Sequence, residues 1–179
     1  MTLFTLKELA LTKSQREGKS YLHAHSPVIP TQTQQQLHLL IKQKRLGLPI
    51  QPMLKANPLL SYWIEQLEEC FPALFNPKKK LYLDVPLTGK LTLNSQQQYR
   101  IQVPINVGYG KERIQLFDWR VELTPGLWTD HLKLWVAHQY FQQQPSQLKM
   151  TVFVLHSSEP LEKITINLGT QPQFLLYAL

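Results

Sequence analysis

Cysteine occurs once in the 179 residues, at Cys70. That excludes an internal disulfide framework and any zinc site built on cysteines. No apolar run approaches the ~20 residues that a helix needs to cross a bilayer, so no membrane span is expected. The opening segment, MTLFTLKELALTKSQREGKS, lacks a basic start followed by an apolar block and a small-residue cleavage site. No secretory leader is expected there, and a cytoplasmic setting follows as the default. Acidic charge is scarce as well: 12 Asp and Glu stand against 19 Lys and Arg, a net charge of +7. Such an excess favours anionic partners, whether nucleic acid, an acidic protein or a membrane surface. It is spread along the chain and clusters strongly only at Lys78, Lys79 and Lys80. A phosphate-cradling glycine loop is missing, because GYGK at 108–111 lacks the following helix and the Ser or Thr. The histidines at 23, 25, 131, 138 and 156 have no spacing partner that suggests a zinc site.

What is present fits one domain with a real core, since 43% of the residues are apolar. Leu3, Leu6, Leu9 and Ala10 suggest a short amphipathic helix within a weakly ordered segment over 1–30. A helix follows from Thr31, with Leu37, Leu40 and Ile41 on one face and Gly47 at its stop. Its glutamines read as polar filler. A second helix is expected from Asn57 and Pro58, a cap followed by proline at the first helical position. From residue 81 the apolar period changes to two, giving strands in LYLDVPL, KLTLN, YRIQVPINV and RIQLFDWRVEL, with turns at NSQQQ and GYGKE. GLWTDHLKLWVAHQYF returns to helical spacing, with Leu127, Leu132, Leu134, Trp135 and Tyr140 on the inner stripe. LKMTVFVL and KITINL close the pattern as strands. A strand, a long helix and another strand form a crossover that favours parallel pairing. The expected fold is α/β with a mixed central sheet flanked by helices, in a single domain with its core over 31–168 and a tail over 169–179.

The strand IQLFDWRVELTP carries Asp118, Arg120 and Glu122 at alternate positions, so all three point to one side. Two readings stand at this point. The three form an ion-pair ladder on a solvated strand face, or they are what is left of a metal-dependent active site. Lys78, Lys79 and Lys80, in NPKKKLYL, either lead a phosphate backbone toward a cleft or form a solvated turn. The four tryptophans, at 63, 119, 128 and 135, are read as core.

The order of helix, antiparallel strands, crossover helix and strand resembles the core of the PD-(D/E)XK nucleases. The likeness is to the RecB-type branch with its compact single-domain cyanobacterial members. LHLLIKQKRLGLPI resembles the helix in which that branch carries a metal-binding histidine, here His38. IQLFDWRV resembles the strand in which an acid is followed two residues later by lysine, and LWTDHLKLWVAHQYF resembles the helix after it.

The resemblance implies a deoxyribonuclease in which two carboxylates and a histidine hold Mg²⁺ or Mn²⁺. His38 and Asp118 match that pattern. Arg120 stands at the lysine position, Ile105 or Asn106 where the second acid is expected, Thr129 for the usual glutamine and Lys133 for the tyrosine beside it. Arginine keeps its charge and repels a cation. The expectation is therefore a nuclease-like fold without a working metal site and with no cofactor. It would serve as a binding or accessory subunit, with another protein or with DNA or RNA held through Lys78 to Lys80 and Arg120. The alternative is an active Mg²⁺- or Mn²⁺-dependent deoxyribonuclease with Glu122 or Glu112 as a relocated ligand.

Overall fold

A computed structural model describes residues 2–6, 8–9, 32–94, 97–110, 113–121 and 128–168, with backbone alone at 2, 91–94 and 97–98. Glu112, Glu122, Leu127, His23, His25, Thr31 and the tail at 169–179 lie outside the described residues. The fold is α/β, with a mixed six-stranded sheet flanked by helices. None of the described helices is long and apolar enough to cross a membrane.

The chain begins with β1 (Thr2–Thr5), extended where a helix was expected. The helical turn comes one step later: the Thr5 hydroxyl accepts the Glu8 N–H at 3.3 Å, and the Glu8 carboxylate accepts the Thr5 N–H at 2.6 Å. That reciprocal capping lets Leu9 enter the core. Helix α1 (Gln32–Arg45) buries Leu37, Leu40 and Ile41. Gly47 ends it with φ of 73°, a left-handed conformation that glycine adopts without steric cost. A short α2 (Gln51–Ala56) leads into α3 (Pro58–Cys70), where the Asn57 side chain accepts the Leu60 N–H at 3.2 Å.

Strand β2 (Leu81–Asn94) runs unbroken where two strands were expected. The apparent interruption at Gly89 has a packing cause. A Cβ there would stand 3.0 Å from Trp135 Cζ3 and 3.1 Å from Val136 Cγ2, so glycine admits the crossover helix against the strand. Strands β3 (Gln97–Tyr109) and β4 (Ile114–Val121) complete an antiparallel meander. Helix α4 (Trp128–Phe141) then returns the chain to β5 (Lys149–Leu155), which pairs parallel to β4, and β6 (Glu162–Asn167) closes the edge antiparallel.

One edge of β3 is covered by β2. The other changes partner: β1 pairs with Tyr99 to Gln102, and β4 pairs only with Asn106 to Tyr109. Beyond Phe117, then, β4 leaves β3, and the sheet opens. Alternation along β4 sends Leu116 into the apolar layer under α4, with Val103, Val107, Leu132 and Val152. Phe117 and Trp119 enter the opposite layer under α1 and α3, with Leu40, Trp63, Leu67 and Phe153. Trp63, Trp119 and Trp135 are core residues, as expected. Tyr140 is not: it sits in the last turn of α4 and is 55% exposed.

Candidate functional site

Asp118 and Arg120 lie on the α4 side of β4, where the strand has just left β3. The expectation of a solvated face does not hold for them, because α4 covers it: Arg120 is 5% exposed. Its guanidinium does not turn first to its strand neighbour. It grips Asp130, a wholly buried residue in the first turn of α4, with both nitrogens: Nη1 donates to Oδ2 at 2.9 Å and Nη2 donates to Oδ1. Such a fork-to-fork pair fixes direction as well as charge. Asp118 is held from three sides. Lys133, one turn along α4, donates to its Oδ2 at 2.6 Å, Arg120 Nη2 reaches the same oxygen at 3.5 Å, and the Trp119 N–H donates to Oδ1 at 2.9 Å.

The four side chains form a cluster of two acids and two bases with no formal net charge. Burial alone would raise the Asp118 pKa, but Lys133 and Arg120 outweigh it and hold the carboxyl below its ordinary value. Arg120 is shifted upward: burial opposes its charge, and the Asp130 hydrogen bonds and both carboxylates more than offset that.

His38 falls in a different place. It packs against Trp119 at a tilt, ring centroids 5.0 Å apart, and Trp119 points away from Asp118. His38 and Asp118 are thus on opposite faces of β4, and the two metal ligands suggested by the sequence do not converge. The partner of His38 is Asp84, at 2.7 Å from Nε2, which also pairs with Lys42. Asp84 sits where the β2–β3 register slips, with φ of 53°. Its N–H donates to Asn106 Oδ1 at 3.0 Å. Partial burial would raise its pKa, but the hydrogen bonds from His38 and Lys42 prevail and lower it to about 2.

These positions answer whether a divalent cation fits. A hard cation needs several oxygen lone pairs in net negative surroundings. The Asp118 oxygens face two cations and an N–H, and the Asn106 oxygen serves Asp84 on the other face. Ile105 lies in the core, and His38 Nε2 is engaged by Asp84. The described residues do not fit the ion. Glu122, the third member of the strand motif, lies outside the described residues.

Lys78, Lys79 and Lys80 are brought to neither cluster. They stand exposed ahead of β2, on a loop anchored by Arg45, whose guanidinium donates to the carbonyls of Leu74, Asn76, Lys79 and Leu81 at 2.7 to 3.3 Å.

Asp130 and Asp84 escaped the sequence reading. Asp130 had a signal: with Lys133, Leu134 and Ala137 it follows the spacing of a buried helical stripe. Asp84 had none, since its role depends on a bulge. Gln34 was read as filler, yet its amide donates to the Trp119 carbonyl at 3.2 Å and accepts the Val121 N–H at 3.4 Å. It stands in for the missing strand along the opened edge of β4.

No protein-family model and no curated protein matches the chain. A solved structure, that of SSO0001, superposes with a TM-score of 0.48 at 11% identity, over 99% of this chain and 74% of the other.

Proposed function

We propose that the chain is a PD-(D/E)XK-like domain whose ancestral metal site has become a structural ion cluster. It acts as a binding or accessory subunit and not as a phosphodiesterase. One observation carries the reading: Asp118, the acid of the nuclease-like strand, is clamped by Lys133 and Arg120, and Arg120 is in turn locked to buried Asp130. A carboxylate neutralised from within the fold has little charge left to offer a cation. Fold alone does not license the activity, and the chemistry belongs to the site. The partner is nucleic acid or another protein subunit, and a cytoplasmic setting belongs to the same proposal.

Calorimetric titration of Mn²⁺ into the full chain tests this, with Asp118→Ala alongside and plasmid cleavage assayed in the same buffers. The expected result is no saturable binding at millimolar metal that depends on Asp118, and no cleavage. Metal-dependent cleavage by the wild type that disappears in Asp118→Ala would overturn the proposal in favour of an active deoxyribonuclease.

A further inference from the structure

Where β4 and β5 begin side by side, a groove of about 560 Å³ opens between the sheet, Phe71 and the loop after α4. Strand register puts much of its lining on one face. Gln115 and Phe117 of β4, Lys149 and Thr151 of β5 and Thr165 of β6 all alternate to the side of α1 and α3. Helix α3 ends at Cys70 and leaves the outer part of that face uncovered, so Gln115, Lys149 and Thr165 are exposed. The wall toward α3 is apolar and held in place. Phe71 stacks on Phe153 at 5.1 Å and meets Phe117 edge to face at 5.1 Å. Lys163 donates to the Cys70 carbonyl at 2.9 Å and ties that corner to β6. Arg113, just ahead of β4, and Gln143, Ser146 and Gln147, from the loop after α4, complete the rim.

The polar side chains of this lining are unengaged. Elsewhere Gln34, Gln66 and Gln139 hold backbone groups of β4, the β5–β6 loop and β2. The glutamines and hydroxyls of the groove hold no side-chain hydrogen bond among the described residues. Arg113 and Lys149 form no ion pair there either. These two carry the only charges of the described lining. Glu112 lies outside the described residues, and counting it against them would still leave a positive excess. The β4–β5 register, extended by two residues, sets Arg113 and Lys149 about 8 Å apart at Cα. At that spacing a guanidinium fork and an ammonium can share one phosphate. The volume suits a small organic ligand. Amides and hydroxyls offer donors and acceptors together, as a nucleobase edge does, and the Phe71 wall suits a flat body. A bare phosphate would answer the cations and leave the amides and the ring wall to water.

We propose that this groove binds a nucleoside monophosphate, its phosphate held by Arg113 and Lys149 and its base against Phe71 with one edge toward Gln115. The inference goes beyond the reading of the chain as a binding subunit and does not depend on the fate of Asp118, which points to the opposite face of β4.

Calorimetric titration of AMP and of UMP into the full chain at low salt tests it, with adenosine and inorganic phosphate as controls. Saturable binding of at least one nucleotide is expected, and much weaker binding of either control. Arg113→Ala and Lys149→Ala are each expected to weaken the nucleotide by about tenfold. Both side chains are exposed and form no ion pair among the described residues, so these variants should fold. Gln115→Ala is expected to weaken it roughly 3- to 10-fold. Lys55→Ala, which removes an exposed charge outside the groove, is expected to change nothing. Glu112→Gln is expected to leave the affinity equal or higher. The inference is overturned if neither nucleotide binds saturably, or if adenosine or phosphate binds as tightly as the nucleotide. It is overturned as well if Lys55→Ala weakens binding as much as Lys149→Ala, which would mean diffuse attraction to a basic surface. Loss of binding in Glu112→Gln would also count against it, because an acid would then be holding the ligand.

Discussion

Asp130→Ala removes the partner of the most buried cation among the described residues. Arg120 is 5% exposed and Asp130 0%, so the guanidinium left behind has little access to water. The cluster goes from balanced to one positive charge in excess. Asp118 cannot make up the loss, because its Oδ2 is already held by Lys133 at 2.6 Å and meets Arg120 only at 3.5 Å. Breaking one side of a buried pair costs about 3–5 kcal/mol, well above the ~1 kcal/mol of an exposed pair. Urea unfolding followed by tryptophan fluorescence reads it through the buried Trp63 and Trp119. With a slope of roughly 2 kcal/mol/M the midpoint should fall by about 1.5–2.5 M, the slope itself staying constant. Arg120→Leu combined with Asp130→Leu should regain most of the loss, since an apolar pair of similar volume needs no desolvation of charge. A loss below about 1 kcal/mol for Asp130→Ala would refute the reasoning, because it would mean that Arg120 swings out to solvent and that the cluster is not closed.

Gln34→Leu strips the Trp119 carbonyl and the Val121 N–H of their side-chain partner and should destabilise by about 1–3 kcal/mol, with faster hydrogen exchange at Val121. Gly89→Ala drives a methyl to within 3.0 Å of Trp135 and 3.1 Å of Val136, so a cost of about 1–3 kcal/mol in the same urea assay is expected. Asp84 has its folded pKa lowered to about 2 from 3.8. Its contribution is therefore present above about pH 4 and lost as pH falls from there toward 2. Asp84→Asn should flatten that part of the stability–pH curve, and an unchanged acid limb would count against the His38–Asp84–Lys42 cluster.

Local signals carried the sequence reading where local chemistry decides the outcome. Asn57 and Pro58 start α3, Gly47 stops α1, and the strand–helix–strand run over 114–155 dictates a parallel pair, all without reference to the rest of the chain. The site was legible only in part. Asp118 and Arg120 announced themselves by alternation, but their partners come from α4, ten to fifteen positions on, and only docking of that helix makes them partners. An acid in the first turn of a helix ordinarily complements the helix dipole in water, which is how Asp130 looks until β4 is placed beneath it. Asp84 reads as an ordinary polar position of a strand. The bulge that turns it toward His38 and Asn106 involves residues 46 and 22 positions away. Conversely, Gly89 gave a false local signal, because the same residue marks a turn or a close helix contact.

The glutamines give this chain a way of keeping an open sheet. Where β4 parts from β3 after Phe117, the edge beyond it must find partners for its backbone groups or leave them to water. β1 takes the corresponding edge of β3, and Gln34 reaches across from α1 to the edge of β4. On the outer edge, Gln139 does the same for β2, accepting the Lys90 N–H at 2.6 Å and donating to its carbonyl at 2.9 Å. The opening is thus built, and Asp118 and Arg120 stand at its mouth. An opening kept for a metal and a phosphodiester would leave those side chains unpaired and reachable. Here Lys133 and Asp130 close it from one face, and His38 and Trp119 pack the other. Lys78, Lys79, Lys80, Arg113 and Lys149, which form no salt bridge among the described residues, stand exposed instead at the far end of the same strands. At the opening, by contrast, the charges are already spent on one another.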